Sequence, residues 1–320
     1  MAWALHGVLL DLFVESFAHP RRSWCWTSTP ATCRCTERRR GGSSTVTQPA
    51  PAKAGDHYCY LPLYVFCGER LLACVLRPSN RDGAYQAAAV LKRLVKRLRQ
   101  AWPGVCIVLR GDSGFCRRRL MNWCERNAVS YVIGLARNAR LHERVALVER
   151  ALEEEYRASG VKQRGIGEFV YAAGSWKSQR RVVTRLEYGA EGTNPRFVVT
   201  NLEEPAAAIY DERYCARGEA ENRIKEVQLG LFGTRASGHK MATNQLRLLF
   251  SALACTLIER LRALALAGTA LARAQAATIR VRLLKIGATI VCNTRRVRIF
   301  LPAHHPARDT FLAAARALAP

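Results

Sequence analysis

The sequence predicts an α/β fold, a mixed sheet flanked by helices, and three observations support this class. Short continuous apolar runs such as 105–109 are typical of strands covered on both faces. Apolar residues recur at helical spacing in longer segments such as 84–100. A β-patterned block at 165–201 interrupts the alternation, and helical patterns follow it. We therefore predict an α/β core with a small β insertion and a helical C-terminal part.

Charge indicates the class of partner. The 320 residues include 50 Lys and Arg against 25 Asp and Glu, a net charge of +25 with a pI near 10.3. This balance indicates a polyanion, with nucleic acid as the first choice and a membrane surface as the alternative. No uninterrupted apolar run approaches about 18 residues, so the sequence predicts no membrane involvement. The first residues lack the basic region of a signal peptide, and we expect a cytoplasmic protein.

The first third of the chain divides into three patterns. Residues 7–18 predict an amphipathic helix that ends before Pro20. Residues 21–56 have neither helical nor strand periodicity and predict a loop or a disordered segment. Strand patterns at 58–66 and 71–77 then predict a hairpin, in which Pro62 indicates an edge or a bulge.

The stretch around Asp112 is the first candidate site. A helix over 84–100 precedes the apolar strand, which stops at Arg110-Gly-Asp-Ser-Gly114. The two glycines predict a tight turn at the carboxyl end of a buried strand, where open α/β sheets place their sites. Asp112 could be a turn aspartate that caps the next helix, or it could bind a metal, and the segment alone leaves both interpretations open. Further patterns predict elements in the order helix 116–126, strand 129–135 and helix 140–158.

A second candidate site lies in the helical pattern at 206–228. Tyr214, Arg217, Glu221 and Lys225 are spaced by three, four and four residues, which places them on one stripe of a helix. One interpretation is a surface helix with salt-bridged pairs. The other is an active-site helix in which Glu221 binds a metal, Arg217 and Lys225 hold phosphates, and Tyr214 contacts the DNA strand. A helix at 241–267, a basic piece at 279–300 with a strand at 296–301, and a short helix complete the chain.

Asp112 and Glu221 are the residue types that phosphoryl transfer with two metal ions requires. Carboxylates converge on two Mg²⁺ ions, about 4 Å apart, which activate the attacking oxygen and stabilise the leaving one. Mg²⁺ prefers oxygen ligands and keeps several waters, so a few carboxylates suffice.

Four motifs resemble a known family. They are Tyr58-Cys-Tyr-Leu-Pro-Leu-Tyr-Val-Phe66, Leu76-Arg-Pro-Ser-Asn80, Arg110-Gly-Asp-Ser-Gly-Phe115 and Tyr214-x-x-Arg217-x-x-x-Glu221-x-x-x-Lys225. Over about residues 57–300 the chain resembles the ribonuclease H-like core of bacterial insertion-sequence transposases of the DDE type. More narrowly, it resembles the family of the insertion sequence numbered thirteen-eighty, relatives of the IS-four group.

The resemblance implies a cut-and-paste DNA transposase with Mg²⁺ or Mn²⁺ as cofactor. Asp112 and Glu221 carry over as the second and third catalytic acids and as metal ligands. Tyr214, Arg217 and Glu221 match the YREK signature of the wider group, whose lysine falls at Gln228, so Lys225 is the available substitute. The implied partner is double-stranded DNA, both transposon terminal repeats and target. The implied state is a homodimer on paired ends, associated with the bacterial nucleoid.

The resemblance also implies a division of the chain. Residues 1–56 comprise an N-terminal helix and an irregular segment, and 57–160 form the first part of the catalytic core. The β insertion spans 161–204, the catalytic-helix part of the core spans 205–270, and a basic C-terminal segment spans 271–320.

The family's first catalytic aspartate is missing from its expected place within 21–56. When GC-rich codons for Trp24 to Pro30 are read one base earlier, they encode Leu-Val-Leu-Asp-Phe-Asp-Ala. We therefore interpret the segment as frameshifted, with the lost aspartate encoded across the codons of Ser28 and Thr29. The sequence then predicts a transposase with impaired activity. The alternatives are a DNA-binding remnant that occupies transposon ends without catalysis and a metal-dependent nuclease on the same core.

Overall fold

The computed structural model describes residues 2–17, 23–30, 33–34 and 59–319, and its central feature is a mixed sheet of nine strands. The elements follow the chain in the order α1 (Ala2–Glu15), β1 (Ser23–Pro30), β2 (Cys33–Arg34), β3 (Cys59–Tyr60), β4 (Leu63–Cys67), β5 (Arg70–Val75), α2 (Ala87–Ala101), β6 (Cys106–Gly111), α3 (Arg118–Arg126), β7 (Ser130–Leu135), α4 (Ala139–Ser159), β8 (Gln163–Tyr171), β9 (Arg180–Gly189), β10 (Gly192–Thr193), β11 (Arg196–Thr200), α5 (Gly218–Lys225), α6 (Met241–Ala265), α7 (Ala276–Ile279), β12 (Thr289–Cys292), β13 (Val297–Phe300) and α8 (Arg308–Ala317). Among these described helices, none has both the length and the apolar character needed to cross a bilayer.

The nine-stranded sheet has the strand order β10-β9-β11-β7-β6-β1-β4-β5, and β8 pairs with β9. β1 runs antiparallel to β4 and parallel to β6, and β6 runs parallel to β7. β11 is antiparallel to both β7 and β9. The predicted mixed sheet flanked by helices is therefore confirmed. The β block predicted at 165–201 extends this sheet rather than forming a separate one.

The prediction of a loop or disorder over 21–56 is wrong for residues 23–30. These residues form β1, in which Ser28 pairs with Val65 on one side and Gly111 on the other. Residues 33–34 form β2, which pairs with β3. β1 lies inside the sheet between β4 and β6, and a central strand that is covered on both faces need not show apolar alternation. The rest of 21–56 lies outside the described residues.

Alternating side chains of the hairpin supply both layers of the core. Leu63 and Val65 of β4 pack with α2 and α3 on one face. Tyr64 and Phe66 of the same strand pack on the other face against Ile224 of α5 and against α6. A period of two in a strand places neighbours on opposite faces, so a single apolar run serves two helical layers.

The predicted strand at 58–66 is divided at Leu61 and Pro62 into β3 and β4, because proline cannot donate a backbone hydrogen bond. The fully buried Arg77 guanidinium joins this break to the loop before α2. Its Nε donates to the Leu61 carbonyl at 2.9 Å, and its Nη1 donates to the carbonyls of Gly83 and Tyr85 at 2.7 and 2.8 Å. Burial lowers the pKa of Arg77 to about 10, partly offset by Asp82.

The C-terminal hairpin of β12 and β13 forms a separate two-stranded sheet. Its pairing confirms a strand in the basic C-terminal piece, with bounds Val297–Phe300 rather than 296–301. Every residue of both strands is exposed.

An ion pair between buried Arg180 and partly exposed Glu125 fastens β9 to α3. Arg180, with 3 % of its side chain exposed, donates from Nε and Nη2 to the two carboxylate oxygens of Glu125 at 2.7 and 3.0 Å. Its Nη2 also donates to Asn122 at 2.7 Å, and the Tyr131 hydroxyl donates to Glu125 at 2.7 Å. Bidentate geometry with further donors makes such a pair costly to break from one side.

We expect Arg180→Met to lower the free energy of unfolding by about 2 kcal/mol, because it removes the charged hydrogen bonds to Glu125 and Asn122, while water still reaches the Glu125 carboxylate. Urea unfolding followed by circular dichroism measures this change. The control is Arg157→Met, which removes an exposed pair with Glu153 on α4 and should cost less than about 0.5 kcal/mol. Equal losses in the free energy of unfolding for the two variants would contradict the conclusion that the Arg180–Glu125 pair stabilises the fold more than an exposed pair does.

Candidate active site

Asp112 lies directly after β6, at the start of a single 3₁₀ turn over Ser113–Phe115. Its Oδ1 accepts a hydrogen bond from the Gly114 backbone N–H at 2.8 Å, so Asp112 caps this turn and not the next helix, α3, which begins at Arg118 without a side-chain cap. The ring of Phe115 is buried beneath the turn, and a Cβ at Gly111 would lie 3.0 Å from the Phe115 Cβ. Gly111 therefore permits the close turn that fixes the direction of the Asp112 carboxylate.

Tyr214, which follows Asp112 by about one hundred residues in the sequence, lies beside the same turn. A Cβ placed on Gly134 of β7 would lie 2.7 Å from the Tyr214 hydroxyl, 3.0 Å from the Ser113 nitrogen and 3.3 Å from the Asp112 carbonyl carbon. These three groups therefore surround one point at the end of the sheet. The structure brings Tyr214 and the Asp112 turn together, as two separate sequence motifs suggested.

The segment 206–230 is helical, but it is not one regular α-helix. A π-helical stretch at Ala208–Tyr214 and a 3₁₀ turn at Cys215–Arg217 precede α5, and a second π-helical stretch at Glu226–Gly230 follows it. The π-helical stretches end at Tyr214 and begin again after Lys225, so they lie outside the predicted stripe, which stays a prediction. The regular α-helix covers only Gly218–Lys225 of the helix predicted at 206–228. π-helical turns occur frequently at functional sites.

Contacts with β6 fix the position of this segment on the sheet. Arg110 is buried and donates from Nη1 to the Arg213 carbonyl at 3.0 Å. Ile209 packs on Val108 in the same apolar cluster. Val108, Arg110 and Asp112 are spaced by two, so all three occupy the face of the sheet that this segment covers. Sequence reasoning missed Arg110, although its spacing from Asp112 was a usable signal.

Glu221 is half-buried on α5, which packs over the β1 and β4 side of the sheet. The buried neighbours of Glu221 on this helix are Ala220 and Ile224. Ile224 belongs to the same apolar cluster as Tyr64, the residue that pairs with position 29 of β1. Glu221 therefore belongs to a helix over β1, the strand beside β6. Its role in metal binding stays a prediction.

Lys225 has a different environment. It is exposed and lines a cavity of about 610 Å³ together with Glu69, Arg223 and Glu226, and neither Asp112 nor Glu221 lines this cavity. The backbone of Arg217 ends the 3₁₀ turn, and its side chain lies outside the described part of the chain. The predicted phosphate-binding roles of Arg217 and Lys225 are not tested by this geometry.

Glu226 is a buried carboxylate that sequence reasoning missed. It accepts hydrogen bonds from Arg262 and the Ala276 backbone N–H, and Arg223 lies 3.2 Å away. Burial acts to raise the pKa of Glu226, but Arg262, Ala276 and Arg223 outweigh it and hold the pKa below its ordinary value of 4.5. This ionised carboxylate joins the end of α5 to α6 and α7.

The carboxylates of Asp112 and Glu221 have the donor chemistry that Mg²⁺ and Mn²⁺ require, since hard cations take oxygen ligands. Hydrogen bonding of Asp112 to Gly114 pre-orients one of the two carboxylates. Within the ranges that the structure describes, no three His, Cys, Asp or Glu side chains form a cluster able to hold a metal ion. The two carboxylates fit a divalent cation in kind.

Comparison with known proteins gives one family match. The family model described as transposase DDE domain group 1 matches residues 52–320. No protein of curated function matches the chain. Among solved structures, the chain is similar to the piggyBac transposase in a synaptic complex with hairpin DNA, with 11 % identity and a TM-score of 0.40. That similarity covers 78 % of this chain and 49 % of the other, so the chain spans about half the length of that protein.

We expect Gly134→Ala to lower the free energy of unfolding by about 1–3 kcal/mol, because the new methyl group overlaps the Tyr214 hydroxyl. Tyr214→Phe should cost less in the Gly134→Ala background than alone, with a coupling of about 1 kcal/mol in a double-mutant cycle. Urea unfolding of the four proteins measures the coupling. The control is Gly167→Ala, whose methyl group would lie 3.7 Å from the Thr184 Cγ2 and should be additive with Tyr214→Phe. Additivity in both double-mutant cycles would contradict the contact between the Tyr214 hydroxyl and Gly134.

The Glu226 network predicts a pH dependence of stability. The folded state lowers the Glu226 pKa, so its contribution is fully present above the ordinary value of 4.5 and is lost as pH falls through the lower folded value. Glu226→Gln should therefore lower the urea midpoint at pH 7, and this difference should shrink below pH 4.5. Glu143→Gln on the exposed face of α4 is the control and should stay near wild type. A difference that grows below pH 4.5 would contradict the prediction.

Proposed function

The chain belongs to the transposase DDE domain group 1 family, and we propose from this premise that it is a bacterial insertion-sequence DNA transposase with an impaired catalytic site. The proposed fold is a ribonuclease H-like core, and the proposed narrower family is that of the insertion sequence numbered thirteen-eighty. Its substrate is double-stranded DNA at transposon ends and target sites. It acts as a homodimer on paired ends in the bacterial cytoplasm, associated with the nucleoid.

The register between β1 and β6 carries this proposal. Ser28 of β1 pairs with Gly111, so the next position, 29, is level with Asp112. Position 29 also pairs with Tyr64, whose side chain packs against α5, the helix of Glu221. Partners in register point to the same face of a sheet. An aspartate at position 29 would therefore share a face with Asp112 and Glu221.

The reading-frame interpretation also places an aspartate at or beside position 29. One base earlier, the codons of Ser28 and Thr29 encode an aspartate when GC-rich codons are used. The strand before the hairpin, the end of a later strand and a later helix are where the resemblance expects the first, second and third acids. The codon argument allows an aspartate at position 28 or 29, and the strand register favours position 29.

We assign the roles as follows. Asp112 and Glu221 hold a divalent cation, Mg²⁺ or Mn²⁺, which when bound stabilises charge on the oxygens of the phosphoryl group. The Tyr214 hydroxyl, beside the Asp112 turn, contacts the DNA strand, and Arg217 and Lys225 interact with phosphates. Because one of three carboxylates is absent, metal binding is weakened and strand transfer is lost or severely reduced.

A DNA-binding remnant without catalysis is the second candidate function. The net charge of +25 favours it, because it supports strong binding that falls with salt, whatever the state of the metal site. Such a protein would occupy transposon ends and interfere with an intact transposase.

Restoring the missing carboxylate tests the proposal. We expect the wild-type chain to bind transposon-end duplexes without cleaving them in Mg²⁺ or Mn²⁺. A chain with the reading frame restored over 24–56 should cleave, and Thr29→Asp alone should raise Mn²⁺ affinity above that of Ser28→Asp. The measurements are a strand-cleavage assay and Mn²⁺ titration by isothermal calorimetry.

The controls separate catalysis from binding. In the restored chain, Asp112→Asn and Glu221→Gln should each abolish cleavage while leaving DNA binding, whereas Asp309→Asn, an exposed carboxylate on α8, should leave both. Cleavage by the wild-type chain would contradict the proposed impairment of the catalytic site. The absence of the aspartate codons from the gene would contradict the frameshift. Binding without cleavage by the restored chain would favour the second candidate.

A further inference from the structure

The first turns of α2 and α3 border an open groove of about 760 Å³ on the sheet face opposite to α5. Four cations line it: Lys92 of α2, Arg117 before α3, and Arg118 and Arg119 in its first turn. All four side chains are exposed to solvent. The groove therefore concentrates positive charge between two converging helices.

The carboxylate at the groove is already engaged. The Asp82 carboxylate accepts hydrogen bonds from the Arg117 Nε and Nη2 at 3.0 and 2.6 Å and from the Ala84 backbone N–H at 2.8 Å. Hydrogen bonding to Arg117 is the largest cause that lowers the pKa of Asp82. Within the described ranges, Lys92, Arg118 and Arg119 form no ion pair. Three cations are therefore available to an anionic partner.

The backbone adds to this charge. α2 and α3 both begin without a side-chain cap, and the first turn of each lines the groove. Helix N-termini carry a partial positive charge and favour phosphate groups. Gln86, the residue before α2, has a φ of 63°, a left-handed conformation that non-glycine residues rarely adopt. Such strain clusters at functional sites.

The groove lies close to the Asp112 turn along the chain. Arg117 follows Asp112 by five residues, and one 3₁₀ turn lies between them. Five residues span less than about 18 Å even when fully extended. With about 3.4 Å between successive phosphates of one strand along the duplex axis, a DNA backbone held here is within about five base pairs of Asp112.

We propose that this groove binds the sugar-phosphate backbone of duplex DNA through Lys92, Arg118 and Arg119, on the same molecule of DNA that Asp112 faces. The inference rests on the proposed function for the identity of the polyanion. The contacts are to phosphates and so carry no sequence preference. The duplex then crosses the end of the sheet, from the α5 face to the face of α2 and α3.

Salt dependence of binding tests the groove without requiring catalysis. The probe is a fluorescein-labelled DNA duplex of mixed sequence, and fluorescence anisotropy gives Kd over a series of salt concentrations. The triple variant Lys92→Gln, Arg118→Gln, Arg119→Gln removes three charges. Because each phosphate contact contributes about 0.9 to the slope of log Kobs against log salt, we expect the slope to fall by about 2.7. At about 0.1 M salt, binding should weaken on the order of 100-fold.

The matched control removes three exposed cations from α4, in the variant Arg140→Gln, Arg144→Gln, Arg150→Gln. It has the same net charge as the groove variant and should retain most of the wild-type slope. Equal losses in the two variants would overturn the inference, because binding would then follow net charge alone. A wild-type slope in the groove variant would overturn it and leave the proposed function intact. Failure of the wild-type chain to bind any duplex would remove both.

Discussion

The pairing of β1 with β6 is the constraint on which the candidate site depends. β1 lies between β4 and β6, so its backbone hydrogen bonds determine which residues of the hairpin and of the Asp112 strand are level with each other. The helical segment 206–230 then covers the face defined by Val108 and Tyr64. Any shift of β1 by one residue would reverse the face on which position 29 lies.

The apolar patterns predicted most of the fold because their residues pack where their periods indicate. The helix predicted over 84–100 is α2, and its apolar positions Val90, Leu94 and Leu98 are buried. The hairpin and the strand before Asp112 were predicted for the same reason. β1 was not predicted because its residues show no regular alternation, and a central strand of the sheet does not need one. The π-helical stretches were missed because their extra residues leave no mark in composition.

The site was predictable in part. Two motifs more than one hundred residues apart in the chain pointed to Asp112 and Tyr214, and the structure places the Tyr214 hydroxyl against Gly134 beside the Asp112 turn. The contribution of Arg110 depends on a carbonyl of the opposite segment, which no local pattern shows. Glu226 resembles a surface glutamate in the sequence and becomes a buried anchor only through Arg262 and Ala276, which belong to later elements.

The π-helical stretch at Ala208–Tyr214 has a consequence for how this chain tolerates length changes. A π turn holds one residue more than an α turn, so the loss of a single residue from this stretch is absorbed when the turn tightens to α geometry, and α5 keeps its orientation. The same loss within α5 has no such reserve, because each residue of a regular α-helix advances the side-chain direction by about 100° and Ile224 would turn out of the core. Deletions are therefore tolerated better in the π-helical stretch than in the helix that follows it.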